Sequence, residues 1–322
     1  MKIAAPTNPK TENAYPIHAP GIYFGLSDTD YHADPALGST GIKRLLASAP
    51  DYWWQSPLNP AREPETDTPS KMFGRALHRC VLEGRDRFVT EYAPTDHSGN
   101  IKAGKEERER IESARMKALK RDDYNRILAA AAFIKANPHL ARAFENGKSE
   151  VSIFWEEDGI RFKARHDYLK LNAIVDLKSI RNTRQKEFQR ACRDAIAEYG
   201  YTISAEQYCE GRRRMAGLLA DGAVFGDHDP EWLRAVADNE AFAFVLVFWQ
   251  AEGSPISHGF QISPGNPLLE SARYEIDLAV DAYKRFMERF GTDTAWMLAE
   301  PLQELDATDL PIWFQQQRFV GA

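Results

Sequence analysis

The sequence predicts a mixed α/β (α+β) fold, with a small mixed central sheet flanked by helices and a helical extension at its N-terminal side. Three observations carry this reading. Residues 150–156, 160–169 and 173–178 form three β-type runs in close succession, with "EEDG" and "LN" at the turns. "AFAFVLVFWQ" (241–250) is an apolar run of strand length, as a doubly covered central strand requires, and "SHGFQIS" (257–263) is its expected partner. Amphipathic helical patterns stand before, between and after these strands.

Taken in order, residues 1–20 hold four prolines and read as a loose arm. "GSTGIKRLLASAPDYWW" (38–54) reads as one helix, N-capped by Ser39 or Thr40, with Ile42, Leu45 and Leu46 on one face. "SPLNPAREPETDTP" (56–69) is a proline-rich loop. "SKMFGRALHRCVLEG" (70–84) is helical, with Met72, Leu77, Val81 and Leu82 apolar and Gly84 at its end. Residues 103–146 read as a helical stretch whose first half is highly charged, a solvated face. After the three β-runs come helices over 183–198 and 203–220, and a long amphipathic helix over 267–290. The expected division is therefore an arm, 1–20, and a single domain, 21–322. That domain has a helical front (21–148), a core (149–290) and a helical tail (291–322), in which "LPIWFQQQRF" (310–319) has the look of an interface helix.

At 322 residues with 43% hydrophobic and 27% charged content, the chain can bury a substantial core. Its net charge of −6 provides no global basic field, although a basic channel can exist on an acidic body. The three cysteines Cys80, Cys192 and Cys209 form no CxxC pair, which suits a reduced, cytoplasmic setting and excludes a four-cysteine iron–sulfur cluster. The N-terminal residues lack an apolar h-region and nowhere do 18 apolar residues run together, so neither export nor a membrane role is expected.

The chemistry concentrates in "HDYLKLNAIVDLKS" (166–179). Strand alternation puts Asp176 and Lys178 on one face with Ile174, and Val175 with Leu177 on the other. If 160–169 pairs antiparallel with 173–178 around Leu171–Asn172, Asp167 lies beside Asp176 on the neighbouring strand. Two adjacent carboxylates raise each other's pKa, and a divalent cation removes that penalty. Oxygen ligands suit Mg²⁺ or Mn²⁺, and Lys178 can orient or deprotonate a water, or stabilise charge growing on a phosphate.

Asp167 with Asp176-Leu177-Lys178 resembles the PD-(D/E)XK nuclease signature. D-x-K alone is common by chance, and further segments add specificity. "GRALHRCVLE" (74–83) resembles the helix of RecB-like and RecE-like exonucleases that carries a metal-binding histidine. "SEVSIFWEEDGIRFKARHDYL" (149–169) resembles the strand pair leading to their first acid. "GLSDTDYHADPALGSTGIKRLLASAPDYWW" (25–54) and "AGKEERER" (103–110) are similar to parts of the RecE nuclease domain. In order and spacing the likeness covers about residues 20 to 290.

The resemblance implies a PD-(D/E)XK core and a RecE-type exodeoxyribonuclease that digests linear double-stranded DNA 5′-to-3′ to leave a 3′ single strand. It implies two Mg²⁺ (or Mn²⁺) ions held by His78, Asp167, Asp176 and the Leu177 carbonyl, with Lys178, Asp176 and Asp167 catalytic and Glu150 an accessory acid of unassigned role. It also implies a ring-shaped homo-oligomer such as a tetramer, a RecT-like single-strand annealing partner and a phage-type recombination role. One departure concerns the Q-x-x-x-Y element of RecB-type nucleases: Tyr208 stands at the tyrosine position, but Ser204, shorter and with one donor, at the glutamine position. Arg181, Arg184 and Arg212 are the expected DNA phosphate contacts. Other readings of the same residues are an endonuclease or RNA-directed nuclease on this fold, and a non-catalytic DNA-binding or assembly subunit.

Overall fold

A computed structural model describes residues 16–63 and 68–319, with the side chains of 316–319 excepted. Most of the expected arm, residues 1–15, and residues 64–67 of the proline-rich loop therefore lie outside the described residues. In chain order the front of the molecule contains β1 (Gly21–Tyr23), α1 (Asp28–Ala33), α2 (Ser39–Ala47), α3 (Ala49–Gln55), α4 (Pro69–Leu82) and α5 (Arg85–Glu91). It continues through β2 (Tyr92–Thr95), α6 (Lys102–Ser113), β3 (Lys117–Lys120) and α7 (Arg121–Ala136). The core contains β4 (Gly147–Glu157), β5 (Ile160–Lys170), β6 (Ala173–Ile180), α8 (Phe188–Glu198), α9 (Tyr201–Arg213) and α10 (Met215–Ala220). After it come β7 (Val224–Phe225), α11 (Pro230–Asp238), β8 (Ala243–Gln250), β9 (Ser257–Ile262), α12 (Pro267–Phe290) and α13 (Ile312–Phe319).

Seven strands make one mixed sheet in the order β7-β1-β4-β5-β6-β8-β9. Its centre is the β4–β5–β6 meander expected from the sequence, and β8 lies parallel to β6 along its whole length. Both faces are covered. On one side Phe244, Leu246 and Phe248 pack with Ile42 and Leu45 of α2, Ile203 and Ala205 of α9 and Ala272 of α12. On the other, Val175, Leu177, Val247 and Trp249 pack with Ala76, Leu77 and Cys80 of α4 and Ile127 and Ala130 of α7. Two covered faces explain why β8 is apolar at almost every position instead of alternating. Helix α9 approaches the sheet closely at Gly211, where a Cβ would stand 3.0 Å from that of Ala164 and 3.2 Å from the Trp155 ring.

The structure departs from the sequence reading in identifiable places. The segment 38–54 is two helices, because the ring of Pro50 cannot continue a helix and Ser48 restarts it by accepting from the Asp51 N–H. The stretch 103–146 is broken after α6: Arg115 adopts φ 59° and β3 follows, paired parallel to β2. The helix expected from 183 begins at Phe188, capped by the Glu187 side chain, and the one expected from 203 begins at Tyr201 and is interrupted at Arg214. The short strands β1 and β7 extend the sheet beyond β4. Among the described residues no helix is long and apolar enough to cross a membrane.

His166 of β5 is buried under α9; its Nε2–H donates to the Tyr208 carbonyl at 2.9 Å, while its Nδ1 has no partner. Burial, reinforced by the Arg212 charge and opposed by that hydrogen bond, lowers its pKa to about 4. The unfolded chain takes up a proton near pH 6.5 that the folded protein refuses until about 4. The contribution of His166 is thus fully present above pH 6.5 and is lost as pH falls through that interval, by about 3 kcal/mol in all. Denaturant midpoints measured from pH 7 down to 4.5 should fall less steeply for His166→Gln, whose amide N–H can meet the same carbonyl. Equal slopes in the two proteins would contradict this assignment.

Candidate functional site

The acid and amine of β6 sit on a covered face of the sheet. Asp176 is completely buried, and Lys178 places Nζ 2.8 Å from its Oδ1 in a directed hydrogen bond. Nζ also lies 2.7 Å from Oδ2, so the ammonium straddles both oxygens of the carboxylate. A buried carboxylate is tolerated here because a cation neutralises it at contact distance. The ammonium also lies 5.4 Å from the centre of the Tyr201 ring, on α9.

Asp167 stands where β5 and β6 part. These strands are paired only through Tyr168–Val175 and Leu169–Ile174; carried one step further, the register sets Asp167 opposite Asp176. At that step the Asp167 side chain replaces the ladder, its Oδ2 accepting the Leu177 N–H at 2.8 Å. The alternation of β5 also slips here. Phe162 and Ala164 face α9, yet Leu169 shares their cluster while Tyr168 joins the opposite one. On the adjoining strand, Glu150 adopts φ 53° between the regular pairs Ser149–Tyr168 and Val151–His166. A left-handed acid within a strand costs about 1–3 kcal/mol, and it turns Glu150 toward its neighbours.

His78 arrives from α4, whose Ala76, Leu77 and Cys80 lock the helix onto the β6–β8 face. Its Nε2 is 3.1 Å from the Leu177 carbonyl and 3.8 Å from Asp167 Oδ2, and its Nδ1 is 3.8 Å from Glu150 Oε1. One ligand atom from each of His78, Glu150 and Asp167 falls within 4.8 Å of the others. Burial works to lower the His78 pKa, but Asp167 and Glu150 together outweigh it and hold the imidazole up to about 9. Burial raises Asp176 to about 6; Lys178 opposes and Asp167 assists. Burial also works against the Lys178 charge, yet Asp176 and Asp167 dominate and keep it well above the ordinary lysine range.

This donor set fits a divalent ion. Two carboxylates and an imidazole come within 4.8 Å of one another, and the Leu177 carbonyl lies 3.1 Å from that imidazole. Oxygen-dominated ligation with one nitrogen suits Mg²⁺ or Mn²⁺. Glu150, an acid without an assigned role on sequence grounds, belongs to the tight cluster, whereas Asp176 is engaged by Lys178.

The accessory residues separate. Tyr208 has Asp176, Lys178 and Asp167 within electrostatic range; burial first, then the acids, push its hydroxyl well above the tyrosine range, so it remains a donor. Ser204 is buried, its Oγ accepting from Lys43 Nζ at 3.1 Å, so it is turned to another side chain and not to the metal cluster. Gln207 donates to the Leu37 and Lys163 carbonyls. Arg212 is a correction to the expected phosphate contacts. It is 1% exposed, donates to the Lys170 and Val236 carbonyls and stacks 4.0 Å from the Phe242 ring centre, so its charge is spent inside the fold. Arg181 and Arg184 are exposed and line a cleft of about 840 Å³ that begins at Ser179 and Tyr201, next to Lys178. Lys120, Arg126 and Lys186 line it too, with Asp123, Asp194, Glu198 and Glu252 among them. Sequence reasoning missed Lys43 and Tyr201, which meet the site only through the packing of α2 and α9.

Comparison with known proteins agrees with this fold. The model of a family described as "PDDEXK-like domain of unknown function (DUF3799)" matches residues 40–223. Among solved structures, a "Putative exonuclease" from Eubacterium rectale superposes with a TM-score of 0.54 at 12% identity, covering 87% of this chain and 97% of that one. The structure of SSO0001, also 12% identical, aligns over 79% of this chain and 88% of its own with a TM-score of 0.21, too low to bear on the fold. No curated protein matches the sequence.

Because Nε2 and Nδ1 of His78 both face acids, binding of an ion must displace its proton, and affinity should weaken as pH falls from 9 to 7. In calorimetry at pH 8, Mn²⁺ should bind with proton release and raise the melting temperature. At a hundredfold excess over Kd the stabilisation should be about 2.7 kcal/mol. Asp167→Asn and His78→Ala should each remove most of that shift; an undiminished shift in both would contradict the cluster as the metal site.

Proposed function

We propose, from the premise that this chain belongs to the PDDEXK-like family DUF3799, that it is a metal-dependent exodeoxyribonuclease hydrolysing phosphodiester bonds of linear double-stranded DNA. The observation that carries the reading is the gathering of His78, Glu150 and Asp167 around the Leu177 carbonyl, with the Asp176–Lys178 pair beside them. A divalent ion held there supplies the Lewis acidity that lets water attack a phosphodiester at neutral pH. His78, Glu150, Asp167 and the Leu177 carbonyl are its proposed ligands, with Asp176, paired to Lys178, as a further acid beside them.

Lys178 is held as an ammonium by Asp176 and Asp167, so it acts as a hydrogen-bond donor. It orients the attacking water and stabilises charge gathering on the phosphoryl oxygens. Tyr208 presents a second donor on the same side. Arg181 and Arg184, at the rim of the cleft, track the phosphates of a strand leaving the site.

Support for exonucleolytic rather than internal cleavage is the RecE-like character of residues 25–54, 74–83 and 149–169, together with the name given to the Eubacterium rectale protein. The same resemblance supports 5′-to-3′ polarity, a ring-shaped homo-oligomer and delivery of the 3′ strand to a RecT-like annealing protein in phage-type recombination. Three free, buried cysteines suit a reducing cytoplasm.

End-labelled linear duplex DNA should be degraded from its ends in Mg²⁺ and left intact in chelator, while a covalently closed circle should survive. Lys178→Ala should lower kcat by about 10²–10³. Nicking of the circle would turn the reading to an endonuclease, and full activity in chelator or in Lys178→Ala would overturn the mechanism.

A further inference from the structure

Lys43 of α2 is a cation whose placement the metal cluster does not explain. Its stem runs over Gly200, where a Cβ would lie 3.0 Å from Lys43 Cδ and where φ is +57°. Its Nζ donates to the Tyr199 carbonyl at 3.0 Å and to Ser204 Oγ at 3.1 Å. An ammonium has three donors, so one remains beyond these two neutral oxygens. The group lies 5.8 Å from the centre of the Tyr201 ring, the ring that also carries Lys178 at 5.4 Å.

Two like charges thus share one aromatic ring, and among the described residues no carboxylate is in ionic contact with Lys43. Burial first, and Lys178 second, bring its pKa down to about 8, with Asp176 opposing. The ammonium sits between the C-terminal end of α8, whose C-cap carbonyl of Tyr199 it meets, and the N-terminal end of α9, so one helix pole favours the cation and the other opposes it. The second cation on the same ring, the burial and the lack of an acid partner disfavour the isolated protein. An arrangement that is unfavourable alone and tightly held by specific contacts is explained when an anion arrives with a ligand.

Resting on the nuclease reading above, we propose that Lys43 binds a phosphate of the nucleic-acid strand being cut, adjacent to the one at Lys178. Gly200 leaves room for the stem, and Tyr199 and Ser204 hold the ammonium in place before the strand arrives. Ser204 therefore serves the strand indirectly, by positioning Lys43.

The test is binding of a short labelled DNA duplex in chelator over a series of salt concentrations, with wild type, Lys43→Gln and Lys43→Arg. The slope of log Kd against log salt should decrease by about one in Lys43→Gln, with roughly tenfold weaker binding at low salt, and Lys43→Arg should restore both. In Mg²⁺, Lys43→Gln should raise KM more than it lowers kcat. Lysine acetylation footprinting of the wild type requires no variant, and DNA should slow modification of Lys43 severalfold. An unchanged salt slope and an unchanged footprint, in a wild type that cleaves DNA, overturn the Lys43 proposal alone. A wild type that binds with the Lys43-dependent slope yet cuts no nucleic acid overturns the nuclease reading and keeps the phosphate contact.

Discussion

Three carboxylates from three neighbouring strands gather at one place in this molecule, Asp167 and Asp176 buried and Glu150 half-buried, and the rest of the site exists to make that tolerable. Glu150, Asp167 and Asp176 come from β4, β5 and β6. Like charges about 4 Å apart repel by about 4 kcal/mol at the effective dielectric of a protein. Two protein cations answer them from opposite sides of the sheet: Lys178 takes Asp176, and His78 sits between Glu150 and Asp167. The backbone contributes as well, since the Leu177 N–H is given to Asp167 where β5 and β6 separate. A protein selected for stability alone would have put leucine and valine in these positions.

The scaffold explains how such a cluster can be held. Both faces of the sheet are sealed by helices, so the strands cannot relax by moving apart at the acids. Irregularity is confined to the site: the slipped alternation around Asp167 and the left-handed Glu150 lie side by side. Elsewhere β4 and β5 are regularly paired. Strain placed only there re-aims side chains that a regular strand would have sent to opposite faces.

Much of this was legible in the sequence, and the remainder was hidden for physical reasons. The β4–β5–β6 meander and the apolar β8 follow from alternation and its absence, and the spacing of Asp176 and Lys178 follows from the strand period. Pro50 marked the break between α2 and α3 and was readable; β1 and β7 were not, because three and two residues carry no periodicity. His78 was accessible only through resemblance, since a histidine on a helix has no local signature for what it will face. Glu150 could not be assigned because its turn toward His78 depends on a positive φ that the residue type does not announce. Arg212 looked like a phosphate ligand in a basic run, but burial under the β5–β6 turn decides otherwise. Lys43 lies far from Lys178 in the chain and meets it only across α9.

The account depends on a divalent ion occupying the point where His78, Asp167 and the Leu177 carbonyl meet. The most direct measurement is anomalous diffraction from crystals soaked in Mn²⁺ above pH 8. The expected result is a peak at coordination distance, roughly 2.0–2.3 Å, from His78, Asp167 and the Leu177 oxygen, with Glu150 or Asp176 as a further neighbour. Crystals saturated with Mn²⁺ that show no peak among these atoms, with His78 still donating to Leu177, would contradict it.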